Sequence, residues 1–193
     1  MSAQPKILAF AGSLRRDSFN KKLVQLGAQA ARDGGAEVMY LDLRDLPMPI
    51  LDQDIEKESG LPENAKTFKQ LMLAHSGLLI SSPEYNSMPS AALKNAIDWA
   101  SRAEPGEAPL ACFKDKVCGL MSASPGALGG LRALPVLRNM LLNINVLVIP
   151  EYVSISKAHE AFDETGKLKD AKQAAQVTRL AGRLVQVLTK LAS

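Results

Sequence analysis

Short apolar runs alternate along this chain with stretches in which apolar residues recur every three or four positions. The runs are KILAFAG at 6–12, AEVMYLDL at 36–43, GLLISSP at 77–83, VCGLMSAS at 117–124 and NVLVIP at 145–150. Their near-continuous apolar character predicts strands of a parallel sheet covered on both faces. Between them, residues 19–33 carry Leu23, Leu26, Ala30 and Ala31 at the spacing of one helix face, and residues 62–75 carry Phe68, Leu71 and Met72. Residues 91–102 follow Pro89, a residue suited to a first helical turn. A closing helix over about 169–191 presents Val177, Leu180, Ala181, Leu184, Leu188 and Leu191 as a core stripe. Alternating strands and helices leave two arrangements, the flavodoxin-like sheet order 2-1-3-4-5 or half of a Rossmann fold. In both, a ligand sits outside the carboxyl ends of the strands. Residues 45–60 and 151–167 show no period and are expected to be irregular; the first leaves the end of the second strand and is placed to overhang such a site.

A length of 193 residues at 47% hydrophobic content suits one well-packed α/β domain, so residues 1–193 are read as a single domain. The balance of 23 Lys+Arg against 20 Asp+Glu gives +3, too small and too scattered to point to nucleic acid or a membrane surface. Cys112 and Cys118 lack CxxC spacing and a histidine pair, and read as buried small hydrophobes in a reducing compartment. His75 and His159 stand outside any metal-site or triad pattern, and neither HExxH nor GxSxG occurs. Asp42, Asp45, Asp52 and Asp54 read as a solvated carboxylate group. No segment reaches the ~18 uninterrupted apolar residues of a membrane span, and MSAQPKILAF lacks a leader's apolar core; the expectation is a cytoplasmic protein.

The chemistry gathers after strand ends. In GSLRRDSFN (12–20), a helix starting near Ser18 exposes backbone N–H groups and a partial positive charge, which together attract an anion. Position 21 is Lys where a capping box would place Glu or Gln, so no side chain there occupies those donors. Ser13, Arg15, Ser18 and Asn20 add donors, and a guanidinium matches paired phosphate oxygens. Without GxGxxG or GK[ST], the turn favours a single phosphate over a dinucleotide or triphosphate. An ordinary cap followed by solvated arginines is the competing account. PEYNSMPS (83–90) is held in a non-helical path by Pro83 and Pro89, which suits recognition by the main chain of Glu84, Tyr85 and Asn86, although a plain proline-rich connection has the same residue types. Ser124 opens a third loop, SASPGALGGLRALP, whose Gly126 permits close approach and which reads equally as a flexible connection. On the helix at 91–102, Asn95, Asp98, Trp99 and Arg102 fall opposite the core residues Leu93, Ala96, Ile97 and Ala100. A Trp on a solvent-facing arc points to an interface with a second copy.

GSLRRDSFN together with PEYNSMPSAALKNAIDWASR (83–102) resembles the NADPH-dependent FMN reductase family, which includes bacterial quinone, chromate and azo-dye reductases, and the likeness runs from the first strand to the last. The resemblance implies a flavodoxin-like three-layer α/β/α sandwich with a five-stranded parallel sheet of order 2-1-3-4-5. It implies non-covalent FMN, with Ser13, Arg15, Ser18, Phe19 and Asn20 around the phosphate, Pro83, Glu84, Tyr85 and Asn86 against the ring, and Ser124 reaching the ring from a second side. NAD(P)H would be co-substrate, a quinone or similar small molecule the acceptor, and FMN rather than any side chain the seat of the chemistry; Glu84 is not assigned as an acid. The family's dimers or tetramers agree with the interface expected on the helix at 91–102. Arg132 falls where some chromate-reducing relatives have an inter-subunit arginine, while Pro135 replaces a tyrosine of that network and is expected to kink or delay its helix. A flavodoxin-type electron carrier and a phosphate-sensing module are the alternatives, the first disfavoured by the lack of a one-signed surface.

Overall fold

Strand β1 (Lys6–Ala11) enters the sheet with only its first residue exposed, while β3 (Gly77–Ser81) and β6 (Val117–Ala123) are buried along their whole length. Their apolar runs are continuous because helices cover both faces. The computed structural model describes residues 4–192. With β2 (Glu37–Asp42) and β7 (Leu147–Ile155) at the edges, the parallel sheet has the order β2-β1-β3-β6-β7, which is 2-1-3-4-5 among its own strands. β3 pairs with β1 on the side away from β2, which sets aside the half-Rossmann order. Alternation along β1 sends Ile7 and Ala9 beneath α1 (Phe19–Asp33) and α7 (Ala171–Leu191). Leu8 and Phe10 point to the other face, beneath α3 (Glu63–Leu73), α4 (Ala91–Ala100) and α5 (Ala133–Asn143). Among the described residues, no helix is long and apolar enough to cross a membrane. Both cysteines are buried, and burial pushes the Cys112 thiol up to about 11 and Cys118 higher still, which leaves neither as a nucleophile.

Several expectations change. The fifth strand runs five residues beyond Pro150, to Ile155, through a register shift opposite Cys118/Leu120. Pro150 is tolerated because β7 is an edge strand whose missing N–H leaves no ladder bond open. The rest of 151–167 holds the short helix α6 (Ala158–Ala161) and a turn closed by a bridge between Phe162 and Leu168. Within 45–60 lies α2 (Gln53–Ser59), capped by Asp52, whose Oδ1 accepts from Asp54 N at 2.8 Å. No residue of α2 is buried, so there was no apolar stripe to reveal it. Asp42 is not simply solvated: its Oδ2 pairs with the buried Lys21 Nζ at 2.6 Å.

Trp99 does not face solvent. Its side chain is 0% exposed and packs with Leu61 and Ala65, and its Nε1 donates to Pro49 O at 2.7 Å. Asn95 Oδ1 accepts from Leu51 N at 2.9 Å, its Nδ2 donates to Pro49 O at 2.8 Å, and Arg102 Nε meets Glu56 Oε1 at 2.7 Å. Of the four residues assigned to a partner-facing arc, Asp98 and Arg102 stay partly exposed, and both are engaged within the chain, Asp98 in an ion pair with Lys94 and Arg102 with Glu56. The non-core face of α4 is therefore covered by the segment 47–61 of the same chain, and the sequence argument for an interface there is overturned. Replacing Trp99 by Ala is expected to cost about 3–5 kcal/mol in urea unfolding and to leave the light-scattering mass unchanged. A changed mass at full stability would put the side chain back at an interface.

Candidate functional site

At the carboxyl end of β1 the chain turns through Gly12–Asp17 and enters α1 with Ser18 as N-cap, its Oγ accepting from Asn20 N at 3.2 Å. Lys22 N is the first to bond back, to Ser18 O at 3.2 Å, so the N–H groups of Phe19 and Lys21 precede the helical ladder. The buried Asn20 side chain is committed elsewhere. Its Oδ1 accepts from Ser81 Oγ at 2.8 Å and Ala123 N at 2.9 Å, and its Nδ2 donates to Ala123 O at 2.8 Å. That amide ties the first turn of α1 to the ends of β3 and β6. Exposed Arg15 lies with its guanidinium carbon 5.1 Å from the centroid of the Phe19 ring, a cation–π contact.

The second loop is a hairpin. β4 (Glu84–Tyr85) and β5 (Met88–Pro89) pair antiparallel around Asn86 and Ser87, whose φ of 52° and 65° are both left-handed, as a two-residue primed turn requires. Asparagine tolerates that region well and serine less so. After the hairpin, Ser90 caps α4 by accepting from Leu93 N at 3.1 Å, and its Oγ also donates to Gly12 O. A Cβ at Gly12 would stand 2.9 Å from Leu93 Cβ, so only glycine allows this approach between the first and second loops. Glu84 points away from the hairpin to the start of α5. Its Oε2 accepts from Arg132 N at 2.9 Å and Ala133 N at 3.2 Å, and its Oε1 from Arg132 Nε at 3.0 Å. This carboxylate caps a helix that has no cap of its own. Pro135 neither kinks nor delays α5: it is the third helical residue, where no intrahelical N–H bond exists to lose.

The third loop is clamped rather than flexible. Ser124 N donates to Ile155 O at 3.0 Å, Ser124 Oγ accepts from Gly126 N at 3.2 Å, and Ala158 N donates to Ser124 O at 3.0 Å. Gly130 (φ 86°) lies so close to Ser122 that a Cβ would overlap the hydroxyl.

These three loops enclose one cavity of about 320 Å³, lined by Ser13, Arg15, Ser18, Phe19, Asn20, Pro83, Glu84, Tyr85, Ala123, Ser124 and Pro125. Every residue expected around a flavin is in that lining except Asn86, which sits at the hairpin's turn. Ala123 and Pro125 join it unforeseen, and their only sequence signal is adjacency to Ser124. The segment 45–60 borders a separate pocket with Leu14, Leu43, Leu46, Met48 and Asn95 and does not line this cavity. A phosphomonoester with a planar apolar ring fits the donor set: hydroxyls, a guanidinium and a helix N-terminus from the first loop, Tyr85 and Pro83 from the second.

Residues 5–160 match the NADPH-dependent FMN reductase family. The chain belongs to that family. It is 38% identical over 175 residues to an NAD(P)H-dependent FMN reductase of Pseudomonas aeruginosa, covering 89% of each chain. It is 32% identical over 191 residues to an NADPH:quinone oxidoreductase of Arabidopsis thaliana, covering 96% of this chain and 89% of the relative. Among solved structures it is similar to FerB, the flavoenzyme NAD(P)H:(acceptor) oxidoreductase of Paracoccus denitrificans, with a TM-score of 0.78 and 26% identity over 96% of this chain and 98% of that one. The family's cofactor is FMN and its co-substrate NAD(P)H.

In this member of the family, Asn20 is the tie between the cavity's first wall and the sheet. Asn20→Ala is expected to cost about 2–4 kcal/mol in urea unfolding, because it strands the Ser81 hydroxyl and both backbone groups of Ala123 in the interior. Unchanged stability would show that these groups find other partners.

Proposed function

We propose that this chain is an FMN-dependent NAD(P)H oxidoreductase that reduces quinones or similar small acceptors, by a ping-pong cycle in which both substrates use the same exposed side of the cofactor. The observation that supports this is the cavity itself: loops far apart in sequence bring the N-terminus of α1, whose first N–H groups suit an anion, and a tight hairpin to one lining. Ser13, Arg15, Ser18, Phe19 and Asn20 form the phosphate end, with Asn20 acting chiefly as the tie that fixes the turn. Pro83, Glu84, Tyr85 and Asn86 offer main-chain groups to the ring edge, and Ser124 approaches from the loop after β6. FMN, when bound, supplies the hydride acceptor and the two-electron donor. The protein's work is orientation, since Glu84, the one carboxylate in the lining, has both oxygens engaged by Arg132 and the start of α5. Tyr85 is 60% exposed, so this side of the cavity stays open to exchanging substrates. The reading includes assembly into a dimer or tetramer. In place of Trp99, exposed apolar side chains such as Met88 and Leu128, on the hairpin and third loop, are candidates for it.

Purified protein is expected to show flavin absorbance that NADPH bleaches and a quinone restores. Bound FMN without NADPH turnover would instead support an electron carrier, and failure to take up FMN would end both readings. Arg15→Ala is expected to weaken FMN binding about ten- to a hundredfold in a fluorescence titration. Arg16→Ala, outside the lining, is expected to change it little. Equal losses would assign the phosphate to the wrong arginine.

A further inference from the structure

Arg15 is an exposed, long side chain on a turn, and a guanidinium left free in water loses rotamer freedom whenever it grips an anion. Here it is held. The Phe19 ring beneath it stacks on the Phe162 ring, with centroids 6.1 Å apart and planes inclined by 5°. Phe162 is itself fixed. It is 8% exposed within the core under α1 and α7, and is bridged to Leu168 by a turn in which Asp163 N donates to Lys167 O at 2.9 Å. The Asp163 carboxylate accepts from Thr165 N at 2.9 Å, Thr165 Oγ1 at 2.8 Å and Lys167 N at 2.9 Å, which closes that turn tightly. A second cation, Lys22, stands with its Nζ 6.0 Å from the Phe162 centroid. Phe162 lies just beyond the residues 5–160 that match the family and does not line the cavity.

We infer that Phe162 is a positioning residue for phosphate recognition, holding Phe19 so that Phe19 presents the Arg15 guanidinium to the phosphate of a mononucleotide. The inference rests on the reading of the cavity as an FMN site. Phe162 does not line the cavity, so its contribution passes through Phe19 and Arg15 at the phosphate end and is confined to ligands that carry the phosphate. FMN and riboflavin share the ring and differ by that group, so the ratio of their affinities reads the phosphate end as a whole, and the Arg15→Ala background separates the aromatic pair from the other donors there.

The test is a fluorescence titration of flavin-stripped protein with FMN and with riboflavin, for the wild type, Phe162→Leu, Phe162→Tyr and Arg15→Ala, and for Phe162→Leu combined with Arg15→Ala. Leu keeps an apolar side chain in the core, and a thermal melt checks that each variant is folded. Phe162→Leu is expected to weaken FMN binding about three- to tenfold while riboflavin binding stays as in the wild type. Phe162→Tyr, which keeps the ring, is expected to restore the wild-type ratio, and Phe162→Leu is expected to add nothing once Arg15 is absent. Equal losses for FMN and riboflavin, or a full additional loss in the Arg15→Ala background, would overturn the proposal and leave Phe162 as a core residue. A wild-type protein that binds riboflavin as tightly as FMN would overturn the phosphate cradle itself, a result distinct from the failure of Phe162 alone.

Discussion

The cavity's first wall is fixed to the sheet by a single buried amide. Asn20 stands in the first turn of α1, yet its hydrogen bonds go to Ser81 at the end of β3 and to both backbone groups of Ala123 at the end of β6. The first helix terminus is thus fixed relative to the strands that launch the other two loops. An anion site at a helix N-terminus works only if the terminus does not move when the anion arrives, since otherwise binding energy is diverted into ordering the turn. A side chain that reads at first as one more phosphate donor proves to be the anchor that gives the other donors a fixed place.

The same logic extends around the rim. Ser90 joins the hairpin's exit to Gly12, Glu84 joins the hairpin's first strand to α5, and Ser124 joins the third loop to the end of β7. Each bond links a loop to an element other than its own flanks, so the three walls are set against one another and not merely against the sheet. The cost sits in the backbone, where Asn86 and Ser87 both hold left-handed conformations. That strain is sustained because Glu84 and Ser90 grip the hairpin from both ends.

The fold was legible because its signal is burial. β1, β3 and β6 are covered on both faces and read as unbroken apolar runs, and helices such as α7 show a regular stripe. The site was legible in its residue types but not in their division of labour: Asn20 and Glu84 belong to the lining, yet their polar atoms serve the scaffold. Trp99 shows where pattern reading fails. A helix covered by the sheet on one side and by an irregular segment on another keeps only a narrow polar strip, here Lys94 and Asp98, and the segment's scattered apolar residues Met48, Leu51 and Leu61, with α2 lacking any buried residue, show no period that would mark it as folding back. Phe162 escaped for a related reason, being a lone aromatic in a short turn whose partner in space, Phe19, is 143 positions earlier in the chain.

The electrostatics of the cavity follow from these ties. A carboxylate in the lining would oppose both a phosphate and the anionic nicotinamide nucleotides that must approach it. Glu84 is prevented from doing so, because its charge is met by the Arg132 guanidinium and by the N–H groups at the start of α5, where the helix dipole is positive. Lys21 is likewise engaged by Asp42, so the cationic character of the cavity's first wall is left to Arg15 and the terminus of α1. Recognition then rests on few, directed donors instead of a diffuse positive field. A net charge of only +3 fits a cavity of that kind, since directed donors need no large field of one sign around them.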